Sequence, residues 1–92
     1  MTNIQKTSPL VQIFGTDTCL ETSHMRRVLE KHSVPYEYVD VQKNIDAGKW
    51  LESVTGGRRS TPVVDFFGDV LIQPTEEKII QLLRTTAVRQ AL

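Results

Sequence analysis

The chain has 92 residues, 39% of them hydrophobic and 24% charged, and eleven basic residues balance eleven acidic ones. That length suits one domain and leaves no room for two, and the even charge carries no broad electrostatic footprint for nucleic acid or an anionic membrane. No apolar run approaches the roughly 20 residues that span a bilayer, and the single cysteine, Cys19, cannot form an internal disulfide, so the expected setting is the cytoplasm rather than an oxidising compartment.

Residues 1–9 read as a flexible polar tail ending at Pro9, without the apolar centre of a signal peptide, and residues 10–92 as one domain. Leu10-Val11-Gln12-Ile13-Phe14, closed by Gly15, is a run of strand formers suited to a strand buried on both faces. A helical pattern follows Thr16-Asp17-Thr18-Cys19, with Leu20, Met25, Val28, Leu29 and His32 near one face. Thr18 and Glu21 have capping-box spacing, which makes Thr18 the N-cap and Cys19 the first helical residue, with Asp17 as the rival cap.

Val34–Val41 reads as a second strand, with Pro35 tolerated near its start. Asn44 caps a helix over Ile45–Thr55 that turns Trp50, Leu51 and Val54 inward, and Gly56-Gly57 stops it. Thr61–Phe67 is the third strand, Gly68-Asp69 a two-residue hairpin signal, and Val70-Leu71-Ile72 the returning strand. Pro74-Thr75-Glu76-Glu77 opens a last helix with an apolar stripe of Ile79, Ile80, Leu82 and Leu83; Thr85–Leu92 either extends it or frays. The order βαβαββα predicts an α/β fold. The first two strands are parallel through a right-handed crossover and the last two form a hairpin, giving a mixed four-stranded sheet flanked by helices.

Cys19 stands where a strand has ended and a helix begins. Unpaired N–H groups and the positive end of the helix dipole favour a thiolate there, and the thiolate is the nucleophile of disulfide exchange. Glu21 and Asp17 oppose it as like charges. Other features have ordinary readings. His24 and His32 do not combine with one cysteine into a zinc site, so no metal is expected. Trp50 is a helix anchor, and Gly56-Gly57 lacks the Lys-Ser/Thr of a phosphate loop.

The strand, the Thr18-Cys19-x-x turn at a helix start, the βαβ unit and Thr61-Pro62 before the third strand together resemble a glutaredoxin, over about residues 10–84. Within that family Gly56-Gly57-Arg58-Arg59-Ser60-Thr61-Pro62 and Gln73-Pro74-Thr75 look closest to the mycoredoxins. The resemblance implies a thioredoxin-like fold with Cys19 as nucleophile and Thr22, in the place of a resolving cysteine, as a hydroxyl beside it. It implies a cis Pro62 facing Cys19 and a thiol-binding groove drawn from Thr16, Thr18, Arg59, Thr61, Pro62, Thr75 and Glu76. Arg59 would meet a ligand carboxylate.

Cys19-Leu20-Glu21-Thr22 replaces Cys-x-x-Cys, so the implied activity is a monothiol cycle on mixed disulfides. A low-molecular-weight thiol, glutathione or mycothiol, is the co-substrate, a disulfide-containing protein the substrate, and no cofactor is tightly bound. Gln73-Pro74-Thr75-Glu76 replaces the family's Gly-Gly-Cys-Asp turn, which weakens glutathione specificity. The alternative is a non-catalytic thioredoxin-fold module that binds a thiol peptide or a protein partner. Two further readings rank lower. Leu20 and Glu21 do not match the Cys-Gly-Phe-Ser of iron–sulfur glutaredoxins, and Thr22 and Ser23 stand where arsenate-reductase-like proteins carry an arginine.

Overall fold

A computed structural model describes residues 10–91, with side chains through Thr85. The elements are β1 (Val11–Gly15), α1 (Leu20–Lys31), β2 (Glu37–Asp40), α2 (Ile45–Val54), β3 (Val63–Phe66), β4 (Asp69–Ile72) and α3 (Glu76–Ala91). This is the expected βαβαββα order. The sheet runs β2-β1-β3-β4, with β1 parallel to β2 and antiparallel to β3, and β3 antiparallel to β4. The expected tail, residues 1–9, lies outside the described residues.

Side chains alternate across the sheet and divide the core in two. Val11, Ile13, Val64 and Phe66 face one side, packed with Met25, Val28 and Leu29 of α1 and Ile79 of α3. Phe14 and Val63 face the other, packed with Ala47 and Leu51 of α2. Trp50 anchors α2 by its ring, 4.5 Å from that of Phe14 between centroids. The continuous apolar run of β1 thus reflects burial on both faces.

The second strand is shorter than its apolar run, because only Glu37–Asp40 pairs with β1. Val34 closes α1 instead. Ser33 adopts φ 58°, and the N–H groups of Ser33 and Val34 donate to the carbonyls of Glu30 and Leu29, a Schellman ending without glycine. At the end of α2, Gly56 (φ 72°) supplies the left-handed residue, and the Gly57 N–H reaches the Glu52 carbonyl at 2.7 Å. The hairpin is displaced by one residue from the sequence signal. Its loop is Phe67-Gly68, both at positive φ as a type I′ turn requires, so Phe66 pairs with Asp69 and Val63 with Ile72.

The start of α1 also corrects the sequence reading. The N-cap is Cys19, not Thr18 or Asp17, and the first helical residue is Leu20. A turn closed by the Cys19 N–H on the Thr16 carbonyl (3.2 Å) holds Thr18 ahead of the helix, and the Asp17 carboxylate accepts the Tyr38 hydroxyl at 2.8 Å. Thr22, Met25, Val28 and Leu29 then form the inward stripe. Leu20, two positions before Thr22, is turned outward and is 83% exposed.

Thr22 docks the first turn of α1 on the end of β1. A Cβ placed on Gly15 would lie 2.4 Å from Thr22 Oγ1 and 2.5 Å from its Cγ2, inside any real contact distance. Gly15→Ala is expected to destabilise the protein by about 1–3 kcal/mol, the usual range for overpacking. The reading would be a lower urea midpoint at unchanged m-value, and Thr22→Ala in the same chain should recover much of the loss.

Candidate functional site

The Cys19 sulfur, half-buried, occupies the N-cap position where an oxygen side chain would ordinarily accept the N–H of the second or third helical residue. As a neutral thiol it makes no such bond. Its S–H lies 3.8 Å from the Thr61 carbonyl oxygen and 3.9 Å from Glu21 Oε1, long contacts for a weak donor. Ionisation changes the balance. Burial pushes the pKa up, but the Thr22 hydroxyl, Thr61 and the backbone N–H groups of Thr22 and Glu21 favour the thiolate, and the net shift is downward. Thr22 Oγ1 is buried without a hydrogen-bond partner, and a Cys19 thiolate would offer it an acceptor.

The Thr61–Pro62 peptide is cis and Pro62 is buried. The register of β3 and β4 brings Gln73 opposite Pro62. The Gln73 N–H donates to the Pro62 carbonyl at 2.8 Å, and its side-chain Nε2 donates to the Thr61 carbonyl at 3.1 Å. One carbonyl oxygen, that of Thr61, therefore meets both the Cys19 thiol and the Gln73 amide. Next to it lies a cleft of about 350 Å³ between α1 and the turn before α3, lined by Glu21, His24 and Met25 on one side, Pro62 at its base, and residues 73–76 on the other.

Of the residues expected from sequence, the structure brings Cys19, Thr22, Thr61 and Pro62 to one place, with Thr75 and Glu76 on the cleft. Thr75 caps α3, its Oγ1 accepting the Lys78 N–H at 3.1 Å. Glu76 Oε2 accepts from Lys31 Nζ at 2.5 Å and lies 3.1 Å from His32 Nε2, which ties the start of α3 to the end of α1. The Thr16 backbone carbonyl accepts the Cys19 N–H, and Thr18 is exposed in the turn. Arg59 lies elsewhere. Its Nε donates to Glu52 Oε2 at 2.8 Å, and its guanidinium covers Gly48 of α2. Gln73 and His24 had no site role from sequence, although both line the cleft. Among the described residues no three His, Cys, Asp or Glu side chains converge as a metal site requires, and no helix is long and apolar enough to cross a membrane.

A glutaredoxin family profile matches residues 11–72, from β1 to the end of β4. The chain belongs to the glutaredoxin family. A Corynebacterium glutamicum protein named mycoredoxin 1 is 32% identical over 56 residues, spanning 61% of this chain and 68% of its own length. A Mycobacterium tuberculosis protein with a glutaredoxin name is 29% identical over 68 residues, 73% of this chain and 81% of its own. The crystal structure of a glutaredoxin from Archaeoglobus fulgidus superposes with a TM-score of 0.67 at 26% identity, covering 83% of this chain and 87% of that one. The thioredoxin-like glutaredoxin fold and the resemblance stated from the motifs both hold, and the single Cys19 is consistent with a monothiol member.

Removing the Thr22 donor with Thr22→Val should raise the pH midpoint of Cys19 alkylation, and removing the nearby negative charge with Glu21→Gln should lower it. Both are read from iodoacetamide rates across pH. A second titration tests the clasp on Glu76. Hydrogen bonds from Lys31 and His32 hold its carboxyl below the usual range. Its stabilising contribution is therefore fully present above the unfolded value of about 4.3 and is lost as pH falls through the folded-state pKa. Urea midpoints of Glu76→Gln should accordingly lie below those of the parent at neutral pH and converge on them in acid.

Proposed function

We propose that this glutaredoxin is a monothiol thiol–disulfide oxidoreductase that reduces mixed disulfides between proteins and a low-molecular-weight thiol. The observation that carries this reading is the Cys19 sulfur itself. It is partly exposed at the start of α1, its ionised form is favoured by Thr22 and two backbone N–H groups, and it abuts the Thr61–Pro62 peptide.

In the first step the Cys19 thiolate attacks the small-thiol sulfur of the mixed disulfide. The new bond joins Cys19 to the small thiol, the old disulfide breaks, and the protein thiolate leaves and takes a proton from solvent. In the second step another molecule of small thiol, as its thiolate, attacks the sulfur bound to Cys19. The two small thiols depart as a disulfide, and the Cys19 thiolate is restored. The reducing equivalents come from the second, free small thiol, the first having arrived as half of the mixed disulfide, so the cycle requires no resolving cysteine and no tightly bound cofactor.

Thr22 is the hydroxyl that holds the attacking and departing thiolate. The cleft beside Pro62, with Thr75 and Glu76, receives the small thiol, of which glutathione and mycothiol are the two candidates. The protein substrate lies across Thr16, Thr18 and Thr61. Arg59, engaged on α2, is free to serve such a substrate only by leaving Glu52. A single cysteine working as a thiolate suits a reducing compartment, the cytoplasm.

The test is the pH dependence of Cys19 alkylation together with turnover of a peptide mixed disulfide. A midpoint well below the free-cysteine value of about 8.5, turnover, and loss of turnover to background in Cys19→Ser are expected. A midpoint at or above that value with no turnover would overturn the oxidoreductase reading in favour of a binding module.

A further inference from the structure

The turn that presents Cys19 contains two stronger candidates for the helix cap. Asp and Thr are preferred at the N-cap, and Asp17 and Thr18 stand directly before Cys19. The sulfur nevertheless holds the N-cap position. An aspartate in a turn also tends to accept the backbone N–H two residues on, which for Asp17 is that of Cys19. That N–H instead donates to the Thr16 carbonyl at 3.2 Å. The Asp17 carboxylate is engaged by β2, where its Oδ1 accepts the Tyr38 hydroxyl at 2.8 Å.

Tyr38 is itself fixed from several sides. Its backbone pairs with Ile13 within the β1–β2 ladder. The Arg26 guanidinium of α1 lies 4.1 Å from the centre of its ring, a favourable cation–π placement. Arg26 Nε donates to the Tyr36 hydroxyl at 3.2 Å, and that hydroxyl donates to Glu30 Oε2 at 2.6 Å. Burial, then the hydrogen bond to Asp17, push the Tyr38 phenol above its ordinary range; Asp40 adds to the rise and Arg26 opposes it. Tyr38 therefore stays an O–H donor at every pH at which a thiol titrates.

We propose that Tyr38 is a positioning residue for the Cys19 thiolate: its hydroxyl ties the Asp17 carboxylate to β2 and so reserves the first N–H groups of α1 for the sulfur. The inference rests on Cys19 being the reactive thiol of the reading above, and it names a residue that keeps that thiol reactive. Without the hydroxyl, Asp17 is released two residues from the sulfur. Its carboxylate can then take the Cys19 N–H as an acceptor. That brings a second negative charge beside the one that Glu21 already contributes, 3.9 Å from the thiol, and a like charge disfavours the thiolate. Thr22 and the Thr61 carbonyl, also beside the sulfur, are uncharged.

The test is the pH midpoint of Cys19 alkylation by iodoacetamide in Tyr38→Phe, which keeps the ring and its contact with Arg26. A rise on the order of half a pH unit is expected, as for one carboxylate brought within several ångströms and acting largely through water. Asp17→Ala added to Tyr38→Phe should return the midpoint to the parent value or below it; a packing defect would not be rescued in this way. Tyr36→Phe removes a hydroxyl of the same network, one whose partners are Arg26 and Glu30, and should leave the midpoint unmoved. An unmoved midpoint in Tyr38→Phe, a rise that survives Asp17→Ala, or an equal rise in Tyr36→Phe would each overturn the positioning role. The oxidoreductase reading stands or falls separately, on the parent midpoint and on turnover.

Discussion

The central strand β1 constrains everything near the sulfur. It is hydrogen-bonded along both edges, to β2 and to β3, and covered on both faces, by α1 and α3 on one side and α2 on the other. The chain can leave the sheet only beyond Gly15, and the helix that follows must return across the same face. Thr22 fixes the point of return, because its side chain rests where a Gly15 Cβ would be. The sulfur of Cys19, three residues earlier, therefore lies just past the end of a central strand paired along both edges and covered on both faces. A reactive group held by such a scaffold is placed by packing rather than by its own flexible loop.

The same contact couples structure to chemistry. The buried Thr22 hydroxyl and the free N–H groups of the first helical turn are unsatisfied donors as long as the thiol is neutral, and such groups are costly to leave without partners. Ionising Cys19 supplies the acceptor they lack, so the thiolate is the helix cap that the neutral thiol fails to provide. The opposing influences are burial and the carboxylate of Glu21. Asp17, the other acid in the turn, has its carboxylate engaged by the Tyr38 hydroxyl, on a ring that also lies 4.1 Å beneath the Arg26 guanidinium.

The hairpin completes the site from the other side. Because its loop is Phe67-Gly68, the ladder extends past Val63 and Ile72 to join Gln73 to Pro62. The turn before α3 is thereby drawn up to the cis peptide, and the Lys31–Glu76–His32 clasp holds the helix start against the end of α1. The cleft beside Pro62 lies between the elements that these two attachments hold together.

Much of this was legible in the sequence. Periodicity, the glycines and the Thr61-Pro62 pair determined the element order, the mixed sheet and the position of Cys19 where a strand gives way to a helix, because these depend on local pattern and on burial that each strand advertises by itself. The N-cap was misread because Thr18-x-x-Glu21 satisfies a local rule, whereas the observed cap depends on a turn closed by Thr16 and on Tyr38 taking Asp17 from a strand 21 residues away. The role of Gln73 was hidden by one residue of hairpin register: with Gly68-Asp69 as the loop it faces Val64, and with Phe67-Gly68 it faces Pro62. The fate of Arg59 was not in its neighbours at all, since Glu52 and the open flank at Gly48 become its surroundings only when the loop folds back on α2. Sequence by itself determined the family, the element order and the placing of Cys19 where a strand gives way to a helix, because each of these is written in local pattern. The surroundings of that thiol were decided by tertiary structure alone, because they combine side chains from two helices and a turn that no local pattern brings together.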